Sequence, residues 1–235
     1  MLDTNFWKKY FQVYDVLNLV IPYQELLKVI CDELDIRPGD KILEAGSGTG
    51  NLVMEIKKNG ASVTGLDSSE EGIKIHKSKD LDANVVQGDL TQKLPFPDNY
   101  FDKICSNNTI YTLTQGQQIN VVGEFYRILK PGGKIIVSNI KKSYSPIKIY
   151  LSHIKTNNQR HGLVKTIIFI LKMAVPTIKM FYYNGKIKRA GEMNKYHFLS
   201  GEEQKELMKH SGFKNISETK QVFAQQAILN SAYKL

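Results

Sequence analysis

The stretch Lys41-Ile42-Leu43-Glu44-Ala45-Gly46-Ser47-Gly48-Thr49-Gly50 decides the fold. Residues 41–45 read as a short strand, and glycines at every second position follow it. Leu52, Val53 and Ile56 then recur at helical spacing, up to a stop at Asn59-Gly60. Strand, tight turn and helix make the first half of a βαβ unit. Working outward, the unit repeats. Ser62–Asp67 is a second strand, and Ser68-Ser69-Glu70-Glu71 opens a helix with acids at its positive end. Asn84–Gln87 is a third strand, ending at Gly88-Asp89, and Phe101–Ser106 a fourth. A helix over Val121–Leu129 stops at Lys130-Pro131-Gly132-Gly133, and Lys134–Ser138 is a fifth strand. This alternation predicts an α/β fold, a parallel sheet with helices on both faces.

Upstream, Phe6, Tyr10, Tyr14 and Leu17 share a helical face, and Pro22 breaks the pattern or starts a turn. Leu26, Leu27, Ile30 and Leu34 form a second stripe, which ends at Pro38-Gly39-Asp40. Downstream, Ser200-Gly201-Glu202-Glu203 is a capping box that opens a helix through Leu207. Two last strands are expected near Asn215–Thr219 and Val222–Leu235. His76 and His210 fall on helices and read as surface residues.

Three features stand at the carboxyl ends of successive strands, where open α/β sheets bind ligands. They are Glu44 with Gly46, Gly48 and Gly50, then Asp67, then Asp89. The loop is GxGxG, not the GxGxxG of dinucleotide folds. A carboxylate at Glu44 would repel a pyrophosphate and suits an amino group or a sulfonium. An acid after strand two matches the donor hydroxyls of a ribose. Asp89 either accepts from an adenine amino group or simply closes a turn after Gly88. The economical ligand is nucleoside-bearing and positively charged.

With these residues in hand, the chain resembles the class I S-adenosylmethionine (SAM)-dependent methyltransferases, in particular the group with quinone- and lipid-modifying members. Ile42–Gly50, Gly65-Leu66-Asp67, Gly88-Asp89-Leu90, Leu94–Asp102 and Leu129–Lys134 carry the likeness. It implies a Rossmann-like, doubly wound, seven-stranded sheet with a reversed C-terminal β-hairpin and a helical cap inserted after strand five. It also implies SAM as cofactor and S-adenosylhomocysteine as product. The loop Gly46, Ser47, Gly48 and Gly50 would run under the methionine part, with Glu44 beside the amino end. Asp67 would bind the ribose, with Leu66 or Ser68 beside the adenine and Asp89 and Leu90 at its edge. Ser106 and Asn107 would lie near the transferable methyl. Tyr10 and Tyr14 are candidates for a lid over the cofactor. The expected layout is N-terminal capping helices (1–37), a SAM-binding core (38–140), a substrate cap (141–198) and a C-terminal helix with hairpin (199–235).

Methyl transfer to a hydroxyl or carbon acid needs a base, whereas a neutral amine needs little help. Tyr111, His153 and His197 are the candidates for a catalytic side chain. No spacing of His, Cys or acids predicts a metal, and Cys31 and Cys105 make no disulfide framework. Residues 1–10 show no signal-peptide pattern, so the expected location is cytoplasmic.

The chain has 235 residues, 42% apolar and 23% charged, which is ordinary globular composition, and a net charge of +9. The charge is uneven. Residues 141–200 hold twelve basic residues and one acid, Glu192, or +11, and the other 175 residues sum to −2. Residues 163–183 are dense in Ile, Phe, Leu, Met and Val. Lys165, Lys172 and Lys179 recur every seven residues, on one side of a helix that Pro176 would kink or end. Three lysines argue against a transmembrane span. The segment is then either a lid with lysines in water, or a lid that also meets an anionic membrane. The leading function is methyl transfer to a small lipophilic acceptor. The alternatives are a membrane-peripheral binding protein of the same fold without turnover, and a nucleic-acid methyltransferase. The aliphatic density of the basic segment disfavours the last.

Overall fold

Seven strands form one sheet: β1 (Lys41–Ala45), β2 (Ser62–Asp67), β3 (Asn84–Gln87), β4 (Phe101–Asn107), β5 (Leu129–Ile140), β6 (Lys220–Val222) and β7 (Ala227–Tyr233). In the computed structural model, which describes residues 4–193 and 195–235, their order is β3-β2-β1-β4-β5-β7-β6. The first five pair in parallel, and β7 runs antiparallel to β5 and β6. The chain winds outward from β1 in both directions. That reversal opens a crevice over the carboxyl ends of β1 and β4.

Alternation along β1 feeds two cores. Ile42 joins Leu26, Ile30 and Leu52 on one face, and Leu43 joins Val121 and Phe125 on the other. The helices are α1 (Thr4–Tyr14), α2 (Ile21–Leu34), α3 (Asn51–Lys57), α4 (Glu70–Lys79), α5 (Gln115–Ile128), α6 (Pro146–His161), α7 (Leu163–Glu192) and α8 (Gly201–His210). A 3-10 turn over Asp15–Leu19 joins α1 to α2, where Pro22 sits in the first turn and costs no hydrogen bond. No described helix is long and apolar enough to cross a membrane.

Several boundaries differ from the sequence expectation. The helix expected from Val121 starts at Gln115, because Thr114 and Gln117 form a reciprocal capping box. Strand β5 starts at Leu129 and runs through Pro131-Gly132-Gly133, and its pairing with β4 slips between Phe101 and Lys103 to take up the irregular stretch. The strand expected at Asn215–Thr219 forms instead at Lys220–Val222. Asn215 has φ 51, and the Asn230 amide binds the Ser217 carbonyl and the Thr219 hydroxyl, so only isolated backbone bonds at Lys214 and Ser217 reach β7 there. The last strand begins at Ala227, since residues 223–226 form the turn. Helix α7 does not end at Pro176, because buried Met173 and Met180 pack on either side of it.

His76 is buried, not at the surface. Its ring occupies the space that a side chain on Gly50 would fill, and burial pushes its pKa down, towards the neutral form.

Candidate functional site

The turn after β1 is stitched to its neighbour. Gly46 and Ser47 both donate backbone N–H to the Leu66 carbonyl, at 2.8 and 3.0 Å. Gly48 donates to Asp67 Oδ2 at 2.7 Å, and Ser69 donates to Asp67 Oδ1 at 2.8 Å. One carboxylate therefore joins the glycine turn to the start of α4. At Gly48, φ is 51 and an added Cβ would lie 3.0 Å from the Phe11 ring, so the backbone takes a shape and an approach that suit glycine.

Above the strand ends lies a cavity of about 360 Å³. Its floor, at the ends of β1, β2 and β3, carries Glu44, Asp67 and Asp89. Glu44 is buried, and burial holds its carboxyl well above the usual range. Burial also raises Asp67, against the lowering effect of its bonds from Ser69 and Gly48. Asp89 is exposed at the rim and accepts from the Thr91 N–H and hydroxyl, each at 2.8 Å, so it does close a turn while lining the cavity. Glu44 Oε2, Ser47 Oγ, Asn107 Oδ1 and Asn108 Oδ1 are buried and meet no hydrogen-bond partner. These lining residues hold unused acceptor capacity, and such groups are rare in a folded protein.

The rest of the wall is largely aromatic and aliphatic, with Thr112, Gln117, Thr177 and Asn184 as neutral polar members. Helix α1 contributes Trp7, Tyr10, Phe11 and Tyr14, and the Tyr14 hydroxyl lies 3.3 Å from that of Tyr23. The 3-10 turn behind α1 is tied down by Asp15. Thr49 Oγ1 donates to Asp15 Oδ1 at 2.6 Å, and Lys79 Nζ to Oδ2 at 2.7 Å. Residues 141–198 add Ile149 from α6, Phe169, Met173 and Met180 from α7, and Tyr144 before them. Phe223 enters from the β6–β7 turn, where Phe223, Ala224 and Gln225 all have positive φ. Such a run costs roughly 1–2 kcal/mol per residue. It is held by Gln226, which accepts from the Ser145 N–H at 2.8 Å. No Lys, Arg or His lines the cavity among the described residues.

Of the residues singled out in the sequence, Glu44, Gly46, Ser47, Gly48, Asp67, Ser68, Asp89, Leu90, Asn107, Tyr10, Tyr14 and Tyr111 all line the cavity. Others do not. Ser106 turns away and donates to the Ala45 carbonyl at 3.0 Å, strapping β4 to β1. Gly50 sits behind the loop as the N-cap of α3. His153 is buried outside the cavity, with Nδ1 accepting from the Ile21 N–H at 3.0 Å, so that nitrogen is unavailable as a base. His197 Nδ1 lies 3.0 Å from Gln118 Oε1, also outside the cavity. Tyr111 reaches the wall, but burial raises its pKa and keeps its proton on. Sequence reasoning missed Asn108, Phe11, Asp15 and Phe223. A signal existed for Asn108: a second Asn after a strand suits the left-handed backbone it adopts, φ 53.

Residues 43–137 match the family model described as a methyltransferase domain. A ubiquinone/menaquinone biosynthesis C-methyltransferase, UbiE, from Burkholderia mallei is 33% identical over 123 residues, 49% of each chain. The chain thus spans about half the length of the curated relatives it matches. Among solved structures, a chain of the complex between the Haloferax volcanii Trm112 methyltransferase activator and a putative methyltransferase superposes with TM-score 0.66 at 16% identity, covering 97% of both chains. A SAM-dependent methyltransferase from Thermotoga maritima, titled a possible histamine N-methyltransferase, gives TM-score 0.64 at 19% identity over 98% of this chain and 99% of its own. Motifs, fold and acidic crevice agree: residues 43–137 match a methyltransferase domain, and the chain as a whole has the fold of the SAM-dependent methyltransferases.

Proposed function

We propose that the protein binds SAM at the acidic end of the cavity and moves its methyl group to a small lipophilic acceptor at the aromatic end. One observation carries this reading. The cavity is lined by three carboxylates at one end, by mainly aromatic and aliphatic groups with a few neutral polar ones elsewhere, and by no basic side chain among the described residues. Such a lining favours a cationic ligand beside a neutral, apolar one.

The acceptors present fit the cofactor. Its ammonium, ribose hydroxyls and adenine amino group are donors, and Glu44 Oε2, Asn107 Oδ1 and Asn108 Oδ1 are buried acceptors without partners. Glu44 would hold the amino group. Asp67 retains lone pairs for the ribose hydroxyls beyond its bonds from Gly48 and Ser69. Ser68, Asp89 and Leu90 would border the adenine, and Gly46, Ser47 and Gly48 the methionine part. Asn107 would stand near the methyl. When bound, the cofactor supplies an electrophilic methyl on a positive sulfur.

The chain's own residues align and dehydrate. Tyr10, Phe11 and Tyr14 cover the glycine turn and exclude water. No histidine among the described residues lines the cavity, and burial keeps the Tyr10, Tyr14 and Tyr111 hydroxyls protonated. The carboxylates stand at the cofactor end. The acceptor is therefore one that attacks without a side-chain base, as an amine or an acidic ring hydroxyl does. A hydrophobic ring suits the aromatic wall, in line with the quinone pathway named for the similar UbiE chains. An acceptor stored in bilayers also implies peripheral contact with a membrane.

Calorimetry with SAM and with S-adenosylhomocysteine tests the first half. Methyl release onto lipophilic phenols, quinols and amines tests the second. Binding with no turnover on any of them would favour the membrane-peripheral binding protein. Nucleic-acid methylation has no support from the cavity, and no RNA or DNA binding is expected at moderate salt.

A further inference from the structure

Helix α7 has two apolar sides, and only one is used. Thr166, Met173, Met180 and Ile187 are buried at seven-residue intervals, and Met173 and Met180 line the cavity. Val164, Ile168, Leu171, Val175, Ile178 and Tyr182 are between 46% and 72% exposed. At about 100° per residue, these six project within about 40° of the direction opposite Met173. They form a stripe of about 27 Å along the helix, at ~1.5 Å per residue. A lid needs no such second face. Contiguous apolar surface of this size marks a place of contact.

Charge says what the contact is with. Lys165, Lys172, Lys179 and Lys186 follow one another at seven-residue intervals along one flank of the stripe. Lys186 lies over the Tyr182 ring, 4.8 Å from its centroid. Lys165, Lys172 and Lys179 form no ion pair among the described residues. The whole of 141–200 contains one acid, Glu192. A second copy of the chain would bring two such lysine rows together with no acids to answer them. An anionic lipid surface takes both parts at once: apolar side chains below the headgroups and ammonium groups among them.

We propose that the outward face of α7 docks the protein, with the helix lying flat, on an anionic membrane surface. This deepens the reading of a lipophilic acceptor by naming the surface from which it would be drawn. Helix α7 would then separate bilayer from cavity, with one face in each.

The test is flotation of the full chain with phosphatidylcholine vesicles, with and without abundant phosphatidylserine. S-adenosylhomocysteine binding is measured in parallel, so that the cofactor reading and the docking can fail separately. Binding is expected to the anionic vesicles at low salt and to fall as salt rises. V175E/I178E should weaken it more than about tenfold, and K165E/K172E/K179E likewise, at about 1 kcal/mol per basic residue near the surface. Both variants should keep S-adenosylhomocysteine affinity, since none of these residues lines the cavity. If the glutamate pair fails to fold, the lysine variant decides alone. Three results would overturn docking: no vesicle binding at low salt, binding that the lysine variant leaves intact, or a dimer in light scattering that V175E/I178E dissolves.

Discussion

The Asp67 carboxylate accepts the Gly48 N–H at 2.7 Å, so the acid that ends β2 holds the glycine turn that follows β1. Its other oxygen takes the Ser69 N–H at 2.8 Å. An amide at this position would put a donor against one of two donors. Asp67→Asn is therefore expected to lose about 1–3 kcal/mol of stability, the usual consequence of an unsatisfied buried group. It should also weaken S-adenosylhomocysteine binding by at least about tenfold, or ~1.4 kcal/mol. Urea unfolding and calorimetry on the same preparation check both. Unchanged affinity would remove Asp67 from the cofactor site.

Glu44 should behave in the opposite way towards stability. Burial raises its folded pKa above the unfolded value, so the folded state gains least from losing that proton. Charging Glu44 as pH rises then costs the ligand-free chain stability. Glu44→Gln should match the wild type below about pH 4.3, the unfolded glutamate value. Above that, it should exceed the wild type by a margin that grows until pH reaches the raised folded pKa and then levels off. It should bind S-adenosylhomocysteine more weakly, having lost the partner for the ammonium. Denaturant midpoints across pH settle the first point, and a Gln variant less stable at neutral pH would contradict it.

Gly50 and His76 share one space. A Cβ on Gly50 would lie 2.1 Å from the His76 ring, and φ there is 79. Gly50→Ala should destabilise the fold by about 2–4 kcal/mol, through overpacking and a disfavoured backbone. Adding His76→Ala removes the collision but keeps the left-handed penalty of ~1–2 kcal/mol. The double variant should therefore recover part of the loss. Thermal melts of the single and double variants measure it, and equal melts for both would show that the ring is not the obstacle.

Asp15 fastens the turn behind α1 to Thr49 and Lys79, and so would latch an aromatic lid over the cofactor. The pair with Lys79 is part-exposed, so its removal should change stability by no more than ~1 kcal/mol. Its effect should fall on closure. Asp15→Ala is expected to speed cofactor dissociation and weaken affinity about tenfold. Trp7, the one tryptophan, lines the cavity and reports binding through its emission. Stopped-flow fluorescence that shows no change in dissociation would separate Asp15 from the lid.

By itself, the sequence determined what rests on local signals. The Lys41–Gly50 strand and turn, the acids at the ends of β2 and β3, and the capping box at Ser200 depend on neighbours a few residues apart, and period-two, glycine and capping patterns report them directly. The reversed hairpin was legible only through the resemblance, because antiparallel return is a matter of partner choice. Tertiary structure alone decided the rest. Ser106 and Asn107 are adjacent, yet one faces the Ala45 carbonyl and the other the cavity, since a strand alternates its sides and only the sheet says which side is which. His76 is buried because Gly50 and Gly65, far from it in the chain, leave it room. Phe223 enters the cavity, and Asp15 ties down the turn behind its wall, through contacts that span much of the chain. The aliphatic density of α7 left a lid and a membrane face both open, and the fold buries Met173, Met180 and Ile187 while leaving Val164, Leu171, Val175 and Ile178 exposed. Hydrophobicity is a property of composition, whereas which face meets the core is fixed only when a second element covers it.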